Sequence, residues 1–229
     1  MTPYYDDGHG IVIYHGDCRE VLPGLNLLQV AVVLTDPPYG IAYHSNRDSS
    51  WREAQIAGDT DTTTRDAALR LLAGLPALVF SSWKSTVPQG THTVLVWDKG
   101  PASGMGNLDV PWKPSWEMIC VIGDGFVGRR DQGVLRNLTG ITWESQGRLH
   151  PNEKPVRLLT TLLSKCPPGL VLDPFAGSGT TGRACKDLGR RCIMIEKEEK
   201  WCEVAARRLA QGVLDFARED SLDTAGEEP

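Results

Sequence analysis

The stretch Leu170-Val171-Leu172-Asp173-Pro174-Phe175-Ala176-Gly177-Ser178-Gly179-Thr180-Thr181-Gly182 decides the fold. Its three leading apolar residues predict a buried strand, and the segment after the glycines has a helical pattern to about Leu188. A strand that passes through a glycine-rich turn into a helix is the basic unit of an α/β fold. The glycines also admit close approach of a ligand to the backbone.

The rest of the chain repeats the alternation of strands and helices. Apolar runs predict strands at residues 11–14, 30–35, 77–81, 94–97, 116–122, 170–172 and 192–195. Helical periodicity predicts helices at 18–25, at about 64–73, after Glu196, and before Pro167, the last capped by Asn152 with Pro155 in its first turn. We therefore expect an α/β sandwich with a mostly parallel sheet.

Four polar motifs come directly after predicted strands. They are Gly16-Asp17, Asp36 to Tyr39, the glycine loop and Glu196. Ligands of such sheets bind beyond the carboxyl ends of the strands, so these motifs are expected to meet at one edge.

Composition places the chain among soluble globular proteins. Its 229 residues fit one domain, which we assign to residues 1–217, and an acidic tail at 218–229 is expected to be unstructured. No signal peptide or membrane span is evident, so a cytoplasmic location and no membrane partner are expected. The six cysteines form no C-x-x-C pair, which predicts buried reduced thiols and no metal site.

The charge of the chain is uneven. The net charge of −5 argues against a protein that coats nucleic acid non-specifically. Between Gly128 and Lys165, however, seven basic residues stand against three acidic ones. A phosphate-bearing partner is expected to bind there.

The glycine loop is ambiguous when taken alone. The spacing of Gly177, Gly179 and Gly182 matches the dinucleotide fingerprint, and Glu196 closes the next strand, where a carboxylate would bind ribose hydroxyls. These features predict an adenosine ligand. They do not distinguish a dinucleotide from a sulfonium amino acid, so an NAD-dependent oxidoreductase stays an alternative.

The segment Asp36-Pro37-Pro38-Tyr39 directs the choice between those ligands. It follows the buried run at residues 30–35, and its two prolines end the strand because they lack backbone donors and fix φ. A carboxylate, free carbonyls and an aromatic ring are thereby held at a rigid strand end. A nicotinamide enzyme has no use for this segment here.

Together these motifs resemble the S-adenosylmethionine-dependent amino-methyltransferases of DNA. Besides Asp36 to Tyr39 and the glycine loop, His150-Pro151-Asn152-Glu153-Lys154-Pro155 matches the His-Pro-x-x-Lys-Pro segment of that family, and Gly16-Asp17-Cys18 matches its N-terminal segment. The order resembles the β group, in which the usual methyltransferase order is circularly permuted. The resemblance implies a Rossmann-like class I methyltransferase sandwich whose sheet has seven strands, one of them antiparallel.

The family pattern also assigns roles to residues. It implies that the catalytic residues are Asp36, Pro37, Pro38 and Tyr39. It implies that the cofactor-binding residues are Asp17, Asp36, Lys154, Asp173, Phe175, Ala176, Gly177, Ser178, Gly179, Thr180, Thr181 and Glu196. Among these, Asp17 would meet the adenine amino group, and Lys154 would lie at the amino-acid end of S-adenosylmethionine.

The chemistry needs such residues because an exocyclic amino nitrogen is a poor nucleophile. The Asp36 carboxylate and the Pro37 carbonyl would accept its N–H bonds and aim its lone pair at the sulfonium methyl group. A base within double-stranded DNA must first be flipped out, and Tyr39 would stack on it. Aspartate as the first residue favours N6-adenine, because the cytosine-N4 enzymes more often carry serine there.

Several points stay open at this stage. N4-cytosine or RNA as acceptor, a catalytically idle DNA-binding module, a homodimer and a cognate restriction nuclease are all compatible with the sequence. Target recognition is expected from a small insertion at about 100–149, with DNA contacts from Arg129, Arg130, Arg136 and Arg148. The tryptophan segments Trp83-Lys84 and Trp97 to Lys99 would face DNA or the core, and the loop at 40–63 would close over the site.

Overall fold

The computed structural model of the chain describes residues 1–41, 60–100, 109, 111–112, 115–136 and 153–211. Most of the predicted loop at 40–63, about half of the predicted insertion at 100–149, the tail, Arg148 and Asn152 lie outside these residues.

A single nine-stranded sheet organises the described residues, in the order β1-β2-β9-β8-β3-β4-β6-β5-β7. The strands are β1 Tyr5–Asp6, β2 Ile11–His15, β3 Val30–Thr35, β4 Ala77–Ser81, β5 Thr91–Asp98, β6 Trp116–Ile122, β7 Val134–Leu135, β8 Leu170–Asp173 and β9 Cys192–Glu196. The helices are α1 Cys18–Val21, α2 Thr63–Leu71, α3 Val156–Leu163, α4 Thr180–Asp187 and α5 Glu199–Ala210.

The seven longer strands form the predicted sheet. Strands β2, β9, β8, β3 and β4 run parallel, and β6 lies antiparallel between β4 and β5. The fold prediction of a mostly parallel sheet with one antiparallel strand is confirmed. The edge strands β1 and β7 add two residues each, which is too short for a periodic sequence signal.

Alternating side chains of the strands fill two cores, one on each face of the sheet. On β3, Val32 and Leu34 enter the core formed with α3, α4 and α5, whereas Val33 enters the core formed with α1 and α2. Because both faces are covered, strands such as β3 and β8 carry nearly continuous apolar sequences. The six cysteines are buried free thiols within these cores, as predicted.

Helix α3 begins later than the sequence predicted. Its N-cap residue is Pro155, with φ −62° and ψ 134°, so the proline stands before the helix and not in its first turn. Asn152 is therefore not the N-cap. The preceding Lys154 is buried, and its side chain reaches Asp36 at the end of β3.

Helix α5 buries one of its faces in the core. Its fully buried residues are Cys202, Ala205 and Leu209, whereas Trp201 and Val204 are only partly buried. Within the described ranges, no helix combines the length and apolarity needed to cross a membrane.

The sheet order brings the four predicted motifs together. The strands that precede them, β2, β9, β8 and β3, are consecutive neighbours and run parallel. Their carboxyl ends therefore share one edge, which is hereafter called the site edge. The predicted convergence of the motifs is confirmed.

Candidate active site

The tetrapeptide Asp36 to Tyr39 leaves the end of β3 at the site edge. The Asp36 carboxylate is partly buried, and Pro37 is buried beneath it. The Tyr39 hydroxyl donates a hydrogen bond of 2.7 Å to Asp36 Oδ1. Burial, together with the neighbouring Asp36 and Glu117, raises the pKa of Tyr39 well above its usual value, so the hydroxyl keeps its proton and stays a donor.

A hydrogen bond joins this tetrapeptide to the glycine loop. Thr35, the last residue of β3, donates its hydroxyl to Asp173 Oδ1 at 2.7 Å, and the Phe175 N–H donates to the same oxygen at 3.0 Å. Asp173 is buried at the end of β8, and burial raises its pKa to about 6. The parallel pairing of β3 with β8 thus sets the two motifs side by side.

The three glycines of the loop have different roles. Gly177 has φ +51°, and a Cβ added there would meet no atom within 4 Å, so it borders open space. At Gly179, with φ +78°, an added Cβ would lie 2.7 Å from Ala205 Cβ and 3.1 Å from its Cα. Gly182 lies against the Met194 side chain of β9. The first glycine therefore leaves room for a ligand, and the other two allow helices and sheet to pack.

Glu196 ends β9 beside the glycine loop. Its carboxylate accepts two backbone hydrogen bonds of 2.8 Å, from Gly177 N–H to Oε2 and from Glu198 N–H to Oε1. Burial raises the pKa of Glu196, and these two bonds partly offset the rise. Each carboxylate oxygen retains a further lone pair, so Glu196 is able to accept hydroxyl protons of a ligand.

Arg208 of α5 supports the glycine loop from behind. Its guanidinium donates to the hydroxyls of Thr180 at 2.8 Å and Ser178 at 3.3 Å, and it forms an ion pair with Glu153. Ser178, Thr180 and their neighbour Thr181 are buried. Sequence reasoning missed Arg208, because an arginine in an amphipathic helix ordinarily indicates only a solvent-exposed face.

Asp17 caps helix α1 at the end of β2. Its carboxylate accepts a bidentate pair from Arg19 at 2.9 and 2.7 Å, and it lies 3.3 Å from Lys197 Nζ. These contacts, led by the bonds from Arg19, hold the pKa of Asp17 well below its usual range. Asp17 therefore stands at the site edge as an ionised acceptor.

Lys154 contacts the tetrapeptide and strand β6, and its predicted contact with the cofactor stays a prediction. Its ammonium group is 2.5 Å from Asp36 Oδ2, 3.3 Å from Glu117 Oε2 and 3.4 Å from the Tyr39 hydroxyl. It also lies over the ring of Phe80, at 5.0 Å from the centroid. The structure thus places Lys154 on the tetrapeptide.

Glu117 and Lys99 complete this cluster, and sequence reasoning did not select Glu117. It is the second residue of β6, and Lys99, just after β5, forms an ion pair with it. A signal was present, since a carboxylate in the apolar run from Trp116 to Ile122 needs a partner when it is buried. The name lysine–carboxylate cluster is used hereafter for the four groups Asp36, Lys154, Glu117 and Lys99.

The basic region is divided between the two ends of the sheet. Arg136 follows β7 and pairs with Asp98 at 3.7 Å, and Asp98 ends β5 at the site edge. Arg129 lies in the exposed segment that contacts Lys165, five residues before β8 begins, and Arg130 follows it. Only Arg136 among these three arginines is beside a strand end of the site edge.

The two predicted tryptophan segments differ in the exposure of their tryptophan side chains. Trp97 is a buried core residue, so packing is its role. Trp83 is 61% exposed just beyond the site-edge end of β4, with Lys84 Nζ 5.5 Å from the centroid of its ring. The turn that carries Trp83 is anchored by Arg65, which donates to the Thr86 carbonyl at 2.8 Å.

The described residues fit an adenosine ligand with an attached sulfonium amino acid. Gly177 leaves open space beside the backbone where a Cβ would project, and the Glu196 carboxylate borders the same loop. Asp17 follows β2, and Glu196 ends the adjacent strand β9. Asp173 ends β8, which lies between β9 and the strand β3 that precedes the tetrapeptide. A ligand along this edge would extend from the acids of β2 and β9 to Asp36.

A permuted α/β sheet with a glycine loop on one strand and an acid-proline-proline-aromatic tetrapeptide on its neighbour defines a class of methyltransferase. A family model described as DNA methylase, for the N6/N4 methyltransferases, matches residues 81–207. The protein YubD of Escherichia coli K12, a methylase by name, is 31% identical over 215 residues, which cover 85% of this chain and 88% of YubD. The chain therefore belongs to the N6/N4 DNA methylase family, as its motifs predicted.

Other comparisons agree with this assignment. The type II methyltransferase M.HinfI of Haemophilus influenzae is 46% identical over 70 residues, which cover 30% of this chain and 20% of that enzyme. The crystal structure of the M1.HpyAVI–SAM complex matches with a TM-score of 0.60 and 21% identity, over 87% of this chain and 98% of that one. The PvuII DNA methyltransferase, described as cytosine-N4-specific, matches with a TM-score of 0.62 and 15% identity, over 89% and 87%. The fold and, for the family, S-adenosylmethionine as the cofactor are confirmed.

Proposed function

We propose that the chain transfers the methyl group of S-adenosylmethionine to the exocyclic N6 amino group of an adenine flipped out of double-stranded DNA. One observation carries the proposal: the partly exposed Asp36 carboxylate is linked to the glycine loop through the 2.7 Å bond between Thr35 and Asp173. An acceptor for an amino group and a cleft for an adenosine cofactor are thereby adjacent. The choice of adenine rests on aspartate as the first residue of the tetrapeptide.

Positioning supplies most of the rate in this proposal. When bound, S-adenosylmethionine provides a methyl group activated by a positively charged sulfur. The Asp36 carboxylate and the Pro37 carbonyl each accept one N–H bond of the target amino group, which turns the nitrogen lone pair towards that methyl carbon. The nitrogen–carbon bond forms as the carbon–sulfur bond breaks, and the nitrogen then loses one proton. No covalent bond to the protein is needed.

A flipped-out base needs an aromatic ring to stack on, and the protein must also bind the surrounding DNA. Tyr39 is one residue from the second proline, and stacking on an aromatic ring stabilises an extruded base by about 1–3 kcal/mol. Trp83, Lys84 and Arg136 lie at strand ends of the same edge and are proposed to contact the DNA. The predicted DNA contacts of Arg129, Arg130 and Arg148 are retained as proposals, and the Arg129 carbonyl accepts a hydrogen bond from Lys165, just after α3.

The second candidate is transfer to the N4 amino group of cytosine. The similarity of the PvuII enzyme over 89% of this chain favours it. The same two acceptors would hold that amino group, since adenine and cytosine both present an exocyclic amine next to a ring nitrogen.

The decisive experiment identifies the methylated nucleoside. The protein is incubated with unmethylated double-stranded DNA and methyl-labelled S-adenosylmethionine, and the DNA is digested to nucleosides and separated. Label in N6-methyladenine is the expected result, and label in N4-methylcytosine would assign the second candidate. If only RNA becomes labelled, the acceptor is RNA, and if DNA binds without any transfer, the chain is an idle binding module.

A further inference from the structure

Lys154 occupies an unusual environment for a lysine. Only 7% of its side chain is exposed, and its ammonium group lies between the Asp36 and Glu117 carboxylates, over the Phe80 ring. A buried ammonium group is costly unless opposite charges and hydrogen bonds surround it. Burial alone would lower the pKa of Lys154, but the two carboxylates outweigh burial and raise it. Lys154 is therefore charged.

The formal charges of the lysine–carboxylate cluster cancel. Asp36 and Glu117 contribute two negative charges, and Lys154 and Lys99 contribute two positive charges. The pKa of Asp36 is raised by burial and by Glu117, and Lys154 opposes this rise. Without Lys154, the Asp36 carboxylate would face the negative charges of Glu117 and Asp173 with only the Tyr39 hydroxyl as donor.

We propose that Lys154 is a positioning residue for methyl transfer, which holds the Asp36 side chain in its charged form and in one orientation, while Glu117 and Lys99 hold Lys154. The inference rests on the proposed function, because it gives Asp36 its role as acceptor of the target amino group. It assigns Lys154 to the acceptor side of the reaction, in place of the cofactor contact that the family pattern implied.

The geometry leaves the carboxylate free to act. Tyr39 and Lys154 each use one lone pair on a different oxygen of Asp36, at 2.7 and 2.5 Å. A carboxylate offers about four acceptor positions, so each oxygen retains one for the target N–H. A protonated Asp36 would instead direct an O–H bond at the attacking nitrogen and occupy its lone pair. The charged form is therefore the one that the reaction needs.

Glu117 acts on Asp36 in two opposing ways. It anchors Lys154, at 3.3 Å, and it also places a second negative charge near Asp36. Its own ionised form is secured by Lys154 and Lys99, which outweigh burial and lower its pKa. Replacing Glu117 with glutamine, which has the same shape but no charge, should therefore lower the pKa of Asp36. Removing the charge of Lys154 should raise it.

The test is the pH profile of single-turnover methyl transfer with saturating labelled S-adenosylmethionine and DNA, from about pH 5 to about pH 9. The variants are Lys154→Met, Lys154→Arg and Glu117→Gln. The control is Lys186→Met, which removes another partly buried lysine, 3.7 Å from Asp7 and far from the site edge. Cofactor affinity is measured by calorimetry in each case.

Lys154→Met should move the acid limb of the profile to higher pH and lower the rate near neutrality by about tenfold or more. Lys154→Arg should return the acid limb towards its wild-type pH. Glu117→Gln should move the limb to lower pH than in the wild type. The control should leave the limb in place, and cofactor affinity should stay within about threefold of the wild type in all variants.

Three results would overturn the inference: an unmoved limb in Lys154→Met, shifts of the same sign in Lys154→Met and Glu117→Gln, or loss of cofactor affinity in Lys154→Met. Failure of the proposed function is distinguishable from these, because the wild-type protein would then methylate no DNA at any pH.

Discussion

The two halves of the site hold their carboxylates by different means. In the glycine-loop half, Asp173 and Glu196 accept hydrogen bonds from uncharged donors, namely backbone N–H groups and the Thr35 hydroxyl. In the tetrapeptide half, Asp36 pairs with Lys154, and Glu117 pairs with both Lys154 and Lys99. A site built from main-chain donors is fixed by the fold itself, whereas a site built from ion pairs depends on a few side chains.

The difference suits the partner of each half. In the proposed function, the glycine-loop half binds the ribose hydroxyls of the cofactor, for which preformed acceptors on strand ends are sufficient. In the proposed function, the tetrapeptide half receives a base that must first leave its helix, and Asp36 must be charged to accept its amino group. The substitutions that follow test each half in turn.

The largest expected effect is that of Asp36→Ala. Loss of the acceptor should reduce single-turnover methyl transfer by at least about 10²- to 10³-fold, because positioning and charge stabilisation are removed together. Cofactor affinity measured by calorimetry should change little, since the glycine-loop half is intact. Asp187→Ala, in an exposed pair on α4, is the control and should keep full activity. Substantial transfer by Asp36→Ala would refute the role of the carboxylate.

Next in size is the effect of Glu196→Gln on the other half. A hydrogen bond to a charged group contributes about 1.5–3 kcal/mol, so cofactor affinity should fall by about 10- to 100-fold. The rate at saturating cofactor should be nearly normal, which separates this half from the tetrapeptide half. Glu203→Gln on the exposed face of α5 serves as the control. Unchanged affinity in Glu196→Gln would show that the ligand does not reach β9.

The Asp173 carboxyl should make an unusual contribution to pH-dependent stability. Its pKa is raised from the usual 3.8 to about 6 in the folded chain, so the folded state takes up this proton before the unfolded state does. The free energy of unfolding that this group contributes therefore rises as the pH falls from about 6 to about 4. At neutral pH the charged carboxylate costs at most about 3 kcal/mol.

Asp173→Asn removes this cost, so the variant should be at least as stable as the wild type at neutral pH. Its advantage should shrink as the pH is lowered through about 6. Urea unfolding at several pH values measures both. A variant that is less stable by a constant amount at every pH would contradict the prediction.

The smallest effects distinguish two glycines within the loop. Gly179→Ala should lower the free energy of unfolding by about 1–3 kcal/mol, because its Cβ meets Ala205 and its φ is positive. The Cβ of Gly177→Ala would meet no atom. This variant should therefore lower the free energy of unfolding by only about 1–2 kcal/mol, because its φ is positive. Gly177→Ala should nevertheless weaken cofactor binding more than Gly179→Ala does. The reverse order in calorimetry would mean that the cofactor avoids the open side of the loop.

Local sequence patterns predicted the framework closely. The strands β3, β4 and β6 have the bounds that their apolar runs predicted. In an α/β fold, a short run of β-branched and apolar residues between turn residues predicts a buried strand. The convergence of four motifs followed from strand direction alone. These features depend on residues that are close in sequence.

The tetrapeptide half was less predictable, because it depends on contacts between distant residues. Glu117 and Lys154 meet Asp36 only once β6 and the segment before α3 are packed against β3 and β4. A burial argument identifies Glu117 as a residue that needs a partner, but no spacing rule gives its partner. The start of α3 was predicted too early, because the capping pattern at residues 152–155 is local and gives no sign of the long-range contact of Lys154 with Asp36.

The interleaved order of the strands affects how the chain reaches this state. Strand β3 pairs with β8, and the bond between Thr35 and Asp173 spans 138 positions. During synthesis, the side of β3 that β8 will cover stays unpaired until β8 has left the ribosome. Such distant pairing slows folding and exposes unpaired strand edges in the interim. The permuted order therefore means that the two halves of the site come together only after β8 has been synthesised and has paired with β3.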